Sequence, residues 1–333
     1  MERHYCKANE TLELVGQAGK CKFIVYDMIG KGTMSVGYRA FRQAPDKSGW
    51  RSLYEFCPKA LQAGSIVYER EKQRFLRNLA FQYRAELAGG RAEPVFPSSA
   101  IFEDPRTGNL WAEADWIDSK PLSSALEETA SLSSLLKIML HLLDAMDEYH
   151  DRGFLLLSLK PQNIRIVNEG NGKESIRIFD FGSMVEKSVV ADKEKRQNSL
   201  ISINRKWSAP ELLRMSGRVP IDEKADIFSA GAVLYSCLCG GRLPALYSDI
   251  PLSLSRDMMV KDTVSGAIES SAVIRRAIND LLSGMLDCDP AKRPDAAAVR
   301  SMINGIISEL SKACSTPDAD AGSVSGMQDP THL

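Results

Sequence analysis

Over roughly the first hundred residues, apolar and polar side chains alternate in short runs: "KFIVYDMIG", "VGYRAF", "WRSLYEF", then "SSAIFED" and "LWAEADWI". A period of two puts alternate side chains on one face, which predicts half-buried strands joined by turns. One stretch departs from it. "SIVYEREKQRFLRNLAFQYRAEL", Ser65 to Leu87, brings Val67, Phe75, Leu79 and Tyr83 near one stripe with charges elsewhere, the pattern of an amphipathic helix. The first part therefore reads as a small sheet with one helix packed on it.

Beyond "DSKPLSSAL" the period lengthens. "SLSSLLKIMLHLLDAMDEYHDRG" has a wide apolar face and a glycine, Gly153, placed to end a helix. "ADIFSAGAVLYSCLCGG" is apolar nearly all round and predicts a central buried helix. "RAFRQAPDKSGW" reads as a polar turn between strands and "GGRAEPVFP" as a loop. The final "CSTPDADAGSVSGMQDPTHL" has too few apolar groups to offset the entropy of ordering and predicts a disordered tail. No internal repeat is visible.

Composition narrows the function classes. With 333 residues, 44% hydrophobic and 26% charged, the chain can bury one large two-lobed core. A formal net charge of -1 supplies no general attraction to nucleic acid or to an anionic membrane, so neither is an expected partner. The most apolar run, "LLKIMLHLLDAM", is interrupted by Lys137, His141 and Asp144 and is too short to span a bilayer. The charged start "MERHYCKANE" lacks a secretory signal's apolar core, and the expected location is cytoplasmic. Seven scattered cysteines and four separated histidines form neither a zinc pattern nor a disulfide framework.

Six short motifs occur in a fixed order. They are "IGKGTMSVGYRA", "LSLKPQNIRI", "IRIFDFGSM", "WSAPELL", "ADIFSAG" and "DPAKRP". Together, over about residues 20 to 310, they resemble the eukaryotic-like protein kinase family. The resemblance implies a bilobal α+β fold, with a small β-sheet N-lobe carrying one helix and a larger helical C-lobe. Its expected divisions are an N-terminal extension at 1–20, an N-lobe at 21–118, a C-lobe at 119–313 and a tail at 314–333.

The family's scheme then distributes roles. Gly30 and Gly32 would let backbone approach phosphates, and Asn163 and Asp180 would be the Mg ligands. Backbone at Asp115, Trp116 and Ile117 would face adenine, with Ala114 at the rear of the pocket. Lys160 matches the catalytic-loop lysine, or merely braces its loop. Glu211 and Arg293 would form a buried ion pair, and Asp226 would accept hydrogen bonds from catalytic-loop amides; these three are architectural.

The chemical positions depart from the family. The strand lysine that holds the nucleotide's phosphates is replaced by Tyr54, and its helix glutamate by Asn78, with Glu71 and Glu86 as alternatives about two turns away on either side. A phenol facing an amide avoids stranding a charge. The catalytic H-R-D becomes Leu156, Leu157 and Ser158. A serine hydroxyl stays protonated at neutral pH, so Ser158 cannot serve as the base, a loss worth about 100- to 10,000-fold in rate. Leu157 also removes the arginine that would receive an activation-loop phosphate.

The sequence thus predicts a pseudokinase: a regulatory or scaffold protein with a protein partner, and with ATP and Mg as candidate ligands that clamp the lobes. Two alternatives stay open. One is an active Ser/Thr kinase whose phosphate clamp has moved to Lys31 or Lys22; the other is transfer of a different group, such as a nucleotidyl group. The stretch "EKSVVADKEKRQNSLISINRKW" reads as a mobile loop or as a docking surface, and exposure of Trp50 or Trp207 would favour docking.

Overall fold

The computed structural model describes residues 5–32, 34–44, 48–83, 96–124, 131–157, 159–169, 174–179, 184–192, 204, 206–214, 220–239, 243 and 271–315. The alternating segments form β1 (Thr11–Gly16), β2 (Gly19–Lys31), β3 (Ser35–Gln43), β4 (Gly49–Phe56), β5 (Ile101–Glu103) and β6 (Leu110–Asp115). They close into a barrel in the order β1-β2-β3-β4-β6-β5. Leu12, Leu14, Phe23, Val25, Val36, Tyr38, Leu53, Phe102 and Trp111 fill its interior.

Residues 11–16, which the sequence reading leaves in an N-terminal extension, are the strand that closes this barrel. β1 pairs along its length with β2, and Val15 and Gly16 pair with Glu103 and Phe102 of β5. Closure removes an open sheet edge. It depends on two pairings distant in sequence, which local periodicity does not report.

Helix α1 (Ile66–Tyr83) lies against the outer barrel face. That face carries Tyr54, Phe56, Ala112 and Ala114, which pack with Phe75, Leu79 and Ala80 of the helix. The expected stripe holds in its middle but not at its start, where Val67 is 36% exposed. Trp50 and Tyr26 stay on the surface further along the same sheet.

A linker through β7 (Ser119–Pro121) leads into the helical lobe. Its main helices are α2 (Leu132–Asp151), α5 (Lys224–Leu238), α6 (Ala272–Met285) and α7 (Ala296–Ser315), with short α3 (Lys187–Ala191) and α4 (Pro210–Arg214) between. Ser131 caps α2 by accepting from Ser134 N, and Gly153 follows its end at φ +83°, a conformation glycine adopts at no steric cost. In α5, Ala225 through Ser236 are all buried, as the unbroken apolar pattern predicts. One continuous core joins these helices with β8 (Phe154–Leu155), β9 (Ile164–Asn168), β10 (Glu174–Ile178) and β11 (Val185–Glu186). Among the described residues no helix is long and apolar enough to cross a membrane.

Candidate functional site

The loop between β8 and β9 is positioned from below by one buried carboxylate. Asp226, wholly buried in the first turn of α5, accepts from Leu156 N at 2.8 Å and Leu157 N at 2.5 Å, and meets His150 Nε2 at 2.8 Å. Leu157 has φ +62°, a conformation that costs an ordinary residue roughly 1–2 kcal/mol, and the two amide bonds hold it there. Burial alone would lower the pKa of His150, but the hydrogen bond and charge of Asp226 outweigh it and hold the imidazole above its ordinary value. Next to Leu157, Ser158 lies outside the described residues. Leu159 is fully buried, and Lys160 is half-buried at the start of a single 3₁₀ turn containing Asn163. Asn163 O accepts from Phe179 N at 2.6 Å, which sets the loop beside the strand leading to Asp180. Asp180, with Phe181 and Gly182, lies outside the described residues.

A second buried network fixes the segment that follows. Arg293 forms a two-pronged pair with Glu211, Nη1 to Oε1 at 2.6 Å and Nη2 to Oε2 at 2.8 Å, with both side chains at most 2% exposed. Its other donors reach Asp287 O and Lys224 O, and its guanidinium lies 4.9 Å from the Phe228 ring centre. Such a charge keeps its partners because desolvating it unpaired would cost several kcal/mol. Ser208 Oγ donates to Leu157 O and Ser229 Oγ to Trp207 O, tying this segment to the loop and to α5.

Above the loop, the sheet face turned toward α1 carries Tyr54. Its ring is 4% exposed and packs among Phe56, Phe75, Leu79, Ala112 and Ala114, with Ile29 and Met34 of the glycine-rich hairpin against the same cluster. That hairpin is paired to its tip, Gly30 opposite Gly37 and Lys31 opposite Val36, and Cys57 N donates to Met34 O at 2.9 Å. On α1, Asn78 is 1% exposed and Glu71 6%. Glu71 lies 3.8 Å from Arg70 and 3.7 Å from Arg74 of its own helix, so its charge is met locally. Glu86 lies outside the described residues.

Neither alternative phosphate clamp faces this cluster. Val36 points into the barrel, and Lys31, its cross-strand partner, shares that side; its ammonium stands 4.9 Å from the Tyr5 ring centre. Lys22 is exposed beside Glu13 and Gln43, eight residues from Gly30 and so roughly 25 Å along the strand. Lys59 is exposed beyond Pro58.

Around the linker, Asp115 is exposed, and Trp116 and Ile117 are half-buried. Trp116 belongs to a cluster the sequence did not suggest: the Arg39 guanidinium lies 4.2 Å from the ring centre of Tyr26, 5.2 Å from Trp50 and 5.3 Å from Trp116. Arg39 Nε also donates to Asp27 at 3.0 Å. Trp207, by contrast, is buried. Below the linker Arg165 donates to Ser119 Oγ at 2.8 Å and Ser119 O at 2.7 Å, so its charge is used within the fold.

A nucleotide and its metal need a cation on the phosphates and carboxylate or amide ligands for the ion. Here Tyr54, which the resemblance aligns with the strand lysine, presents a phenol ring, Lys31 and Lys22 face elsewhere, and Arg165 is bound to the linker. The described residues of the upper lobe therefore do not fit a nucleotide held in the family's way. Of the expected Mg pair only Asn163 is described, and among the described residues no group of three metal-ligating side chains occurs.

A barrel lobe with one helix, joined by a short linker to a helical lobe whose loop hangs from a buried aspartate, defines the protein-kinase class of fold. The chain belongs to that family: the model of the protein kinase domain matches residues 23–302. Among its relatives is the serine/threonine-protein kinase pkn3 of Myxococcus xanthus, 24% identical over 94% of this chain and 55% of that protein. Ribosomal protein S6 kinase alpha-1 of Mus musculus is 34% identical over 83% of this chain and 35% of its own length. Serine/threonine-protein kinase 16 of the mouse is 25% identical over 60% of this chain and 63% of its own length. The chain thus spans less than two thirds of each.

Proposed function

We propose that this chain is a regulatory or scaffold protein that uses the protein kinase fold without efficient phosphoryl transfer. One observation carries the reading: at the strand position where the family holds its phosphate-binding lysine, this chain buries the ring of Tyr54 against its own sheet. The architectural wiring is meanwhile intact, in Glu211 with Arg293 and in Asp226 with the loop amides. A fold that keeps its buried charges and gives up the cation at the cleft retains a shape while losing transition-state stabilisation. Ser158, which offers no base at neutral pH, supports the same reading from the sequence.

The protein then acts by contact with a protein partner. The exposed pair Tyr26 and Trp50 around Arg39 supports this, because tryptophan, tyrosine and arginine dominate the energetics of protein interfaces. Purified protein incubated with Mg and γ-labelled ATP tests the inactive reading. No label should appear on the protein or on a generic acceptor; label that is lost in Asp180→Ala would overturn it.

A further inference from the structure

Tyr54 does more than omit a charge. It stands in the middle of a row across three strands, directly opposite Gly37 on β3 and Ala112 on β6. A Cβ added to Gly37 would lie 2.8 Å from Tyr54 Cε1, 3.0 Å from its Cδ1 and 3.2 Å from Ile29 Cγ1. The ring therefore occupies the room that any other residue at position 37 would need. In the next row along the same face Ser52 stands between Arg39 and Ala114. Glycine inside a strand is locally unfavourable and marks a close approach. Here what approaches is the phenol ring of the neighbouring strand.

The surroundings close the remaining sides. Ile29 and Met34 of the hairpin and Phe75 and Leu79 of α1 pack on the same cluster. The upper lobe is also tied downward through side chains: Arg74 Nη2 donates to Met184 O at 3.0 Å, and Arg77 Nη1 to Glu186 Oε1 at 2.7 Å. Arg77 further lies 5.4 Å from the Phe154 ring centre, at the start of the catalytic-loop strand. These links join α1 to the lower lobe.

We infer that Tyr54 is a resident occupant of the cleft's upper wall, a plug that excludes purine nucleotides and takes over their bridging contact between sheet and helix. This deepens the inactive reading proposed above and rests on it. It follows that nucleotide concentration does not regulate the protein, and that Gly37 and Tyr54 are coupled: each permits the other.

The full chain tests this by thermal unfolding with millimolar ATP, with and without Mg, and with adenosine. Wild type and Tyr54→Phe should show no shift. Tyr54→Ala should unfold at lower temperature and be raised again, saturably, by adenosine. A shift of wild type by either compound would overturn the plug while leaving the absence of phosphoryl transfer standing; failure of adenosine to stabilise folded Tyr54→Ala would overturn it too. Should Tyr54→Ala not fold, Tyr54→Leu takes its place in a double-mutant cycle with Gly37→Ala. Gly37→Ala should lower the unfolding temperature in wild type and do so much less beside the shortened residue 54. Additive effects would overturn the inference. Label transfer from γ-labelled ATP by wild type would instead sink the inactive reading itself.

Discussion

Asp226 shows how much one side chain can decide. Three polar groups converge on its buried carboxylate, and one of them belongs to a leucine in the left-handed region. Replacing it by asparagine turns one acceptor into a donor facing backbone N–H groups. Hydrogen bonds to a charged group are worth about 1.5–3 kcal/mol each, so Asp226→Asn should cost about 3 kcal/mol or more in urea unfolding. Its partner carries a pH signature. The pKa of His150 is raised in the fold, so the imidazolium binds its proton more tightly there than in the unfolded chain. The stability it adds is therefore whole below its unfolded pKa of about 6.5 and is lost as pH rises through the higher folded value. Stability measured from pH 6 upward should fall in wild type more than in His150→Gln; parallel curves would show that folding leaves the proton affinity of His150 unchanged. The role of Asp226 was implied by the family resemblance of the motif "ADIFSAG". Those of Arg39 and Arg165 were not, because nothing in a linear pattern tells which arginine meets three aromatic rings and which a linker hydroxyl.

Two elements carry most of the wiring between parts. The turn ending in Arg293 is joined to α4 by the Glu211 pair, and Glu211→Gln or Arg293→Met should cost about 3–5 kcal/mol, since either strands a buried charge. Exchanging the pair together for apolar residues should cost far less, and a double-mutant cycle measures the difference. Helix α1 is held differently. Arg77 and Glu186 are both partly exposed, so Arg77→Ala should change global stability by about 1 kcal/mol or less. It should nevertheless speed amide exchange in α1 and in residues 184–191, because the link is local. Equal exchange rates in the two proteins would show that apolar packing alone seats the helix. The existence and type of α1 were plain from its period. Its contact with the lower lobe was not, because Arg74 and Arg77 look like solvated charges in sequence.

At the scale of the whole molecule, the barrel joins segments from both ends of the upper lobe. Removing residues 5–16 should expose the edges of β2 and β5 together with the interior face carrying Phe23, Phe102 and Trp111. The shortened chain should unfold at lower temperature and self-associate, which light scattering would detect; a monomer of unchanged stability would mean that β1 is decorative. By itself the sequence determined the two-lobed class, the alternating strands from β2 to β6, the helices α1, α2 and α5, and the buried ion pair. Those features are written in residue type and spacing, and the periods of two and 3.6 report local geometry directly. Only the tertiary structure decided that the barrel closes, that Lys31 faces Tyr5, and that the ring of Tyr54 lies against Gly37. Each is a contact between strands whose register depends on hydrogen bonds and packing summed over the whole sheet, a quantity that no single segment contains.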